Sequence, residues 1–306
     1  MRRQRGVAAV TAILIVAVAA SAAALMLSQQ SAMIDQALMV SSRAQADLYA
    51  QAGFDWARGV LAEDARRAKD VDSLDEGWAQ PIAALPVDRA TVAGAITDEQ
   101  GKVNLNNLAP EGQKSDPDLR IFRTLLGSLG LSPDLADAVL DWIDRDSDLA
   151  SAAGAEDSYY LALARPYRAP NAPMVQVEEL YRVRGFDAAS VAKLKPYVTA
   201  LPARTAINVN TASDVVLAAV LGLTREKTAA MLAERRAKPF RSRDEFADRA
   251  RRDGVASVGS ELDVKSAYYS VRIQVAQDEV QLASEALVVR RADNASTAII
   301  WRRPLY

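Results

Sequence analysis

The stretch MRRQRGVAAVTAILIVAVAASAAALML, residues 1–27, sets a short basic leader directly before a long apolar run. Residues 7–27 contain two polar side chains, those of Thr11 and Ser21. About 20 apolar residues at 1.5 Å each span the roughly 30 Å of hydrocarbon in a bilayer. A cleaved export signal has a shorter apolar stretch, followed by a cleavage site of small residues. The length therefore favours a permanent membrane anchor.

The leader predicts how the anchor is oriented and processed. Its arginines favour a cytoplasmic N-terminus, which directs everything after Leu27 of this single-pass protein across the membrane. Gly6 ends the leader, and a basic leader that ends in glycine before an apolar helix resembles a type IV prepilin leader. The resemblance implies that a prepilin peptidase removes residues 1–6 and that Val7 becomes the N-terminus. An ordinary signal anchor is the alternative.

The composition of the 306-residue chain excludes several kinds of function. Lys and Arg number 37 against 39 Asp and Glu, so the net charge of −2 provides no general attraction for nucleic acid. The chain has no Cys and no His, which excludes disulfides, Cys or His nucleophiles and the usual zinc sites. Enough residues follow the anchor for two domains.

The helical pattern continues beyond the anchor through residues 28–67, a segment without proline. Leu48, Ala52, Trp56 and Val60 recur every four residues and form one apolar stripe. We expect this stripe to face a soluble domain, so that one long helix lies half in lipid and half on the domain. That is the shape of a pilin's first helix, and a signal anchor followed by an unrelated linker helix is the alternative.

Alternating apolar and polar residues predict a small antiparallel sheet. A hairpin is predicted at residues 91–108, with its turn at the letters DEQG. Three further strands are predicted within residues 267–276, 279–291 and 296–303. The long stretch between them is helical in pattern. The predicted fold is therefore α+β: a pilin-like long N-terminal helix on a small antiparallel sheet, with a large inserted all-α domain.

The predicted domain boundaries follow this order of elements. The cleaved leader is followed by the transmembrane half of the helix at residues 7–27. The soluble part is then divided into a first pilin-like part at residues 28–108, an inserted helical domain at residues 109–262, and C-terminal strands at residues 263–306.

Three segments of the inserted region repeat a pattern in which a helix ends at a glycine and a capping residue begins the next helix. The pairs are Gly130 with Ser132, Gly185 with Asp187, and Gly222 with Thr224. These are helix-hairpin-helix units similar to those of SAM-like helical domains. The third unit also resembles the DNA-binding repeats of competence proteins.

Binding of DNA by these units is the weaker interpretation. Such hairpins hold a phosphate with backbone N–H groups at a turn with two glycines, and the second glycine is replaced in all three copies. In one copy the replacement is Asp187, a carboxylate beside the incoming phosphate. A basic stretch is formed by Arg235, Arg236, Arg241 and Arg243, but such runs more often mark a solvated helix face. A membrane-tethered DNA-binding protein of competence type stays open as the alternative function.

An acidic block, DWIDRDSDLASAAGAEDSYY at residues 141–160, predicts a cation site. Hard cations such as calcium prefer carboxylate oxygens at this alternating spacing. The candidate ligands are Asp144, Asp146, Asp148, Glu156 and Asp157. Leu149 stands where an EF-hand loop needs glycine, and Asp141 either contributes or faces water. The residues alone leave a calcium site and a solvated acidic loop equally open, with paired-carboxylate catalysis as a third option.

Together these features resemble minor pseudopilin K of type II secretion systems, the GspK family. The resemblance rests on the QRG leader, DEQGKVNLNNL, WIDRDSD followed by GAEDSYYLAL, RPYRAPNAPMVQVEEL and INVNTAS, and it runs through nearly the whole chain. It implies a non-enzymatic protein with bound calcium that assembles with other minor pseudopilins at the tip of a short periplasmic filament and supports protein export. It also implies methylation and contact with an inner-membrane secretion platform, and no binding of nucleic acid.

Thr11 is the fifth residue after the predicted cut, where most pilins carry a glutamate that pairs with a neighbouring subunit's terminal amine. A carboxylate in the bilayer costs at least ~2.5 kcal/mol unless a partner compensates it. A threonine hydroxyl instead bonds back to its own helix. A subunit without the glutamate suits the filament tip that the resemblance implies.

Overall fold

The computed structural model describes residues 4–67, 70–291 and 293–305, so Arg2 and Arg3 of the predicted leader lie outside the described residues. These residues form eight α-helices and nine strands. The helices are α1 (Gln4–Arg67), α2 (Asp116–Ser128), α3 (Leu135–Ile143), α4 (Asp157–Tyr160), α5 (Ala188–Leu194), α6 (Asp214–Leu221), α7 (Arg225–Ala237) and α8 (Arg243–Arg252). The strands are β1 (Ile82–Val87), β2 (Ala90–Asp98), β3 (Val103–Asn104), β4 (Val198–Thr199), β5 (Ile207–Asn208), β6 (Leu262–Asp263), β7 (Tyr268–Gln277), β8 (Val280–Arg290) and β9 (Thr297–Leu305).

The predicted long helix is confirmed as α1, which is continuous from the apolar N-terminal segment to Arg67. Within the described chain it is the one helix long and apolar enough to cross a membrane. The apolar stretch that meets this criterion is not buried in the protein. Residues 28–41 continue it with every side chain exposed. Contact with the sheet begins at Ser42, whose hydroxyl donates to Asp278 at 3.0 Å.

The C-terminal half of α1 packs on an antiparallel sheet whose order, in the described residues, is β1-β2-β7-β8-β9. The three strands predicted near the C-terminus are confirmed as β7, β8 and β9. Alternate residues of β7, among them Tyr269, Val271 and Ile273, are buried against the helix because successive side chains of a strand point to opposite faces. We call this helix-covered cluster the sheet core.

The helix face that packs on the sheet differs from the predicted stripe. Leu48 and Trp56 are 65% and 51% exposed, so the prediction for these residues was wrong. The buried face is formed by Ala46, Ala50, Phe54, Ala57 and Leu61. Both faces have the same helical period. The face that contains Ala46, Ala50 and Ala57 packs on the sheet because these small side chains let the helix approach the strands closely.

Gly53 is the point of closest approach, since a Cβ there would lie 3.0 Å from Ile273 Cδ1. We predict that Gly53→Leu forces α1 away from the sheet and lowers the free energy of unfolding by ~1–3 kcal/mol, the usual cost of overpacking. Urea denaturation of the soluble part measures the change. Gly59→Leu is the matched control, because a Cβ at Gly59 would have no described atom within 4 Å and a helix gains stability when glycine is replaced. Equal unfolding free energies for the two variants would contradict this packing.

A long insert, residues 99–267, leaves the sheet after β2 and returns at β7. The two strands are neighbours, with Asp98 opposite Tyr269. The predicted hairpin at residues 91–108 was wrong, because β2 turns back on β1 and β3 pairs with β4 in parallel. Residues 103–108, assigned from sequence to the first pilin-like part, contribute apolar side chains to the core of the insert.

The insert consists of two units that begin and end alike, rather than three equivalent repeats. Each begins with a two-residue strand that pairs in parallel with a strand at the end of the unit, β3 with β4 and β5 with β6. In each unit an asparagine amide exchanges two hydrogen bonds with a distant backbone, Asn106 with Met174 and Asn210 with Phe240. Gly130 and Gly222 end equivalent helices at φ of 68° and 63°. Gly185 follows a 3₁₀-helix at residues 177–182 and Gly254 follows α8, at φ of 84° and 93°.

Candidate functional site

Residues 144–156 of the acidic block form the loop between α3 and α4. Asp144 caps the end of α3 in an extended conformation, and Glu156 is the N-cap residue of α4. The two helix ends meet, so these residues come together although the chain separates them. Carboxylate oxygens of Asp144, Asp146 and Glu156 all lie within 4.8 Å of one another. The structure thus groups three of the five carboxylates proposed from the sequence.

Asp141 lies under this group and is fully buried. Its Oδ1 accepts the N–H of Ala150 at 3.0 Å, which folds the loop back over the helix. Its Oδ2 has no hydrogen-bond partner among the described residues. A side chain at Gly154 would collide with that oxygen, so a glycine is required there by close approach. Of the two alternatives from sequence, that Asp141 contributes to the site or faces water, its burial excludes the second.

The electrostatics of the group are unfavourable in the absence of a cation. Burial, followed by repulsion from Asp146 and Asp141, raises the pKa of Asp144 to about 7. Burial, followed by the neighbouring carboxylates, also raises the pKa of Glu156 to about 7. The pKa of Asp141 is raised, chiefly by burial. Each raised pKa means that the folded protein disfavours the negatively charged form of the carboxyl group.

The buried oxygens fit a hard cation. Asp144 Oδ1 and both carboxylate oxygens of Glu156 have no donor within the part of the chain that the structure describes. Buried polar atoms normally have a hydrogen-bond partner, so several buried carboxylate oxygens without one in the same group indicate a cation that they could bind together. Calcium coordinates 6–8 such oxygens in flexible geometry. The donor set is therefore chemically suited to calcium.

The remaining two candidates lie beside the group. Asp148 is exposed, and its N–H donates to Asp146 Oδ1 at 2.9 Å. Asp157 accepts the N–H of Ala169 at 3.1 Å and lies 3.4 Å from the guanidinium of Arg168. Their roles as ligands stay predictions.

Asn171 is a member of the site that sequence analysis did not include. Its amide donates to the backbone carbonyl of Asp146. Its Oδ1 has no partner among the described residues. The residue adopts φ of 43°, a left-handed conformation that asparagine tolerates. A position in the proline-containing stretch RAPNAP was its only signal in the sequence, and the fold brings that stretch back over the acidic loop.

The loop is joined to the rest of its unit by aromatic and cationic side chains. Trp142 precedes the loop in α3 and Tyr160 follows it in α4, and their rings meet edge to face at 5.2 Å. The guanidinium of Arg184 donates to the carbonyl of Gly154 at 2.7 Å. Disorder in the loop would therefore disturb the surrounding core.

One arginine of the basic stretch proposed for DNA contact is engaged in hydrogen bonds within the protein. Arg235 donates to the carbonyls of Val209 and Ala212 at 2.8 and 2.6 Å, and burial lowers its pKa to about 10. Asp187 uses its carboxylate to cap α5, accepting the N–H of Ser190 at 2.7 Å. A half-buried arginine bound to backbone carbonyls and a capping carboxylate do not form a phosphate site.

The predicted cleavage site lies at the N-terminal end of α1. The helix already contains Gly6 and Val7. Thr11 donates its hydroxyl to the carbonyls of Val7 and Ala8, both at 3.0 Å. The polar group expected to bond within its own helix does so.

Two adjacent parts of the chain match family models. Residues 101–203 match the first and residues 207–272 the second, and both models are described as type II secretion system (T2SS), protein K. Together they cover more than half of the chain.

Individual proteins are similar over longer stretches. A relative from Aeromonas hydrophila named type II secretion system protein K is 30% identical, covering 96% of this chain and 95% of the relative. A relative of the same name from Pseudomonas aeruginosa is 34% identical, covering 90% of this chain and 86% of the relative. A chain in the crystal structure of the GspK-GspI-GspJ complex from enterotoxigenic Escherichia coli is similar with a TM-score of 0.75 and 27% identity, covering 86% of this chain and 97% of that one.

Proposed function

The chain belongs to the type II secretion system protein K family, and we propose that it is a minor pseudopilin at the tip of the periplasmic pseudopilus. In that position it assembles with other minor pseudopilins and supports protein export. The observation that carries the proposal is the likeness of nearly the whole chain to a member of a GspK-GspI-GspJ complex. The role is one of assembly and is not enzymatic.

The proposed partners are the other minor pseudopilins of the same cell. The face of α1 that is turned away from the sheet supports this, because Leu48 and Trp56 leave apolar surface exposed there. Large exposed apolar side chains at one face are typical of protein interfaces. A partner helix laid along α1 would cover both.

The proposed position at the tip is supported by two features. Thr11 satisfies its hydroxyl within α1 and makes no demand on a neighbouring subunit's amine. The insert adds two helical units beyond the sheet, a bulk that would obstruct a subunit stacked above it. A subunit with these features ends a filament more readily than it continues one.

The proposed location is the inner membrane, crossed once by α1, with the N-terminus cytoplasmic and the domain periplasmic. Its exposed apolar half supports the anchor. In this proposal the prepilin peptidase cleaves after Gly6, and the inner-membrane secretion platform receives the processed chain.

Calcium is the proposed structural ion. Asp144, Asp146 and Glu156 would hold it, with Asp141 below them, and Asp148 and Asp157 remain candidates at the rim. The ion would supply the positive charge that several buried carboxylates lack. The chain's own contribution is to hold the two helix ends so that the oxygens converge.

Copurification tests the proposed assembly. The full chain, expressed with the other minor pseudopilins of its cell, is expected to copurify with them in a complex of fixed stoichiometry. Leu48→Glu should abolish copurification without loss of fold, because the side chain is 65% exposed and a charge there opposes an apolar contact.

Tyr181→Glu provides the control, since that side chain is 54% exposed but lies in the insert. Capture of the unchanged partners by Leu48→Glu would contradict the proposed face of α1. Salt-dependent binding of duplex DNA by the chain, without any copurifying pseudopilin, would favour the competence-type alternative.

A further inference from the structure

The insert and the sheet have separate hydrophobic cores. The buried apolar residues of α1 and the sheet form one cluster, those of the insert form another, and the described residues place no buried apolar side chain in both. Val71, which follows α1, packs against the core of the insert, and two groups of hydrogen bonds and ion pairs make further contacts between the two parts. Polar interfaces of this kind allow neighbouring domains to change their relative orientation.

The first polar contact lies where the insert leaves and rejoins the sheet, and we call it the joint. The buried carboxylate of Asp98, at the end of β2, accepts the N–H of Gln100 at 2.8 Å. It also accepts the hydroxyls of Thr211 and Ser266, both at 2.6 Å, and the amide of Asn208 at 3.2 Å. Donors from both ends of the insert thus converge on one residue of the sheet.

Arg290 connects the joint to α1. Its guanidinium binds Asp64 of α1 at 2.9 Å and also binds Asp72, which follows the helix. Asp72 accepts the N–H of Ser266 at 2.8 Å and donates its own N–H to the carbonyl of Val264 at 2.9 Å. Arg290 and Asp72 are 8% and 2% exposed. Arg290 also donates to the carbonyl of Ser266 at 2.9 Å, so this buried pair is fixed to the C-terminal end of the insert. Separating the insert here would disturb a buried ion pair, so the joint is the permanent connection.

The second polar contact lies on the far side of the sheet, and we call it the latch. Arg303 of the edge strand β9 reaches across to the insert, where it donates to Gln176 Oε1 at 2.9 Å and to Glu178 at 3.4 Å. Its other nitrogens bind Glu285 of β8 at 2.8 and 3.1 Å. Arg303 and Glu178 are each about a third exposed, and exposed ion pairs contribute little free energy.

A cleft of about 490 Å³ separates the sheet from the insert between these two contacts. Its floor is formed by the face of the sheet opposite α1, including Trp301, and one wall is formed by residues 175–178 of the insert. The cleft means that the two surfaces are not packed on each other there. Rotation about the joint would change its width without disturbing either core.

We propose that the insert rotates about the buried joint relative to the sheet and that the Arg303 latch holds it in the orientation seen here. The joint has the properties of a hinge, because it lies at the two chain crossings and is shielded from solvent and salt. The latch has the properties of a releasable contact, because it is exposed, charged and far from the crossings. Release of the latch frees the insert to take up other angles.

Spin-label distances in the full chain, reconstituted in lipid nanodiscs, test the proposal. The chain contains no Cys, so Lys193→Cys in α5 and Gln281→Cys in β8, both at exposed positions, give a unique pair of labels. The unmodified latch should give one narrow distance distribution. Arg303→Ala should replace it with a broader and shifted one, and high salt should produce the same change by screening the ion pairs.

Two further variants make the test specific. Glu178→Ala opens the latch from the insert side and leaves every residue of the sheet intact, so it should reproduce the broadening even where Arg303→Ala weakens β9. Arg272→Ala is the matched control, because Arg272 lines the same cleft and pairs with the same Glu285 at 3.6 Å. A narrow distribution in both latch variants, or equal broadening in Arg272→Ala, would overturn the proposal.

Discussion

Chelation of calcium is expected to lower the melting temperature of the soluble fragment that begins at Ser28. The fragment retains both cores, since the buried face of α1 begins at Ala46. A ligand that binds the folded state alone stabilises it by about 2.7 kcal/mol at a hundredfold excess over Kd. For a domain of this size that corresponds to a melting temperature change of roughly 5–10 °C. Thermal melts with calcium and with chelator measure the difference.

The response should depend on the grouped carboxylates. Asp146→Ala or Glu156→Ala is expected to abolish it. Asp148→Ala is the comparison variant, because Asp148 was proposed from its spacing in the sequence but lies outside the grouped carboxylates. Magnesium should restore stability poorly, because its rigid octahedral shell suits a loop of this kind less well. Identical melting curves with calcium and with chelator would show that the loop is a solvated acidic surface.

The same response should depend on pH in a defined direction. Folding raises the pKa of Asp144 from 3.8 and that of Glu156 from 4.5, each to about 7. The cation-free folded state therefore takes up protons more readily than the unfolded chain, and stability gained from them is lost as the pH rises through 7. Calcium must displace these protons. The gain in melting temperature from calcium should consequently be larger at pH 8 than at pH 6, and a larger gain at pH 6 would contradict this linkage.

Gly6→Val is expected to block maturation of the chain. A peptidase that cleaves after a glycine needs a small residue to reach the peptide bond, so the variant should retain residues 1–6 and accumulate as precursor in the inner membrane. Secretion should be lost with it. Mass spectrometry of the N-terminus distinguishes the precursor from a chain that begins at Val7.

Two changes provide controls for this experiment. Gly6→Ala keeps a small side chain and should be processed. Thr11→Ala removes a hydroxyl that bonds within α1, so it should leave processing and secretion nearly intact. Normal cleavage of Gly6→Val would remove the support for a prepilin leader.

Local patterns in the sequence predicted the elements that are determined locally. The apolar run and the absence of proline indicated a continuous helix, and period-two alternation located β7, β8 and β9. The hairpin after β2 could not be predicted correctly, because β3 consists of two residues whose partner, β4, is almost a whole unit away. The packed face of α1 was missed because the choice between two stripes depends on the close approach of Gly53 to the sheet.

The candidate site shows the same division. Alternation identified Asp144 and Asp146, which lie two residues apart in one loop. Glu156 joins them because it caps α4, and Asp157, one residue later, points to Arg168 instead. Asn171 comes from a separate stretch of chain, so its place depends on tertiary structure. Spacing locates such a loop, and the helix ends decide which of its oxygens converge.

If the apolar segment of α1 spans the membrane as proposed, the part of α1 beyond it acts as a lever arm. Residues 28–67 correspond to about 60 Å of helix beyond the hydrocarbon. Transmembrane helices tilt by ~20° on average, and such a tilt moves the far end of this arm sideways by roughly 20 Å. An isolated anchor therefore leaves the domain's position above the membrane poorly determined. The position would become fixed when neighbouring helices hold the arm, so the placement of the domain is a property of the assembled filament.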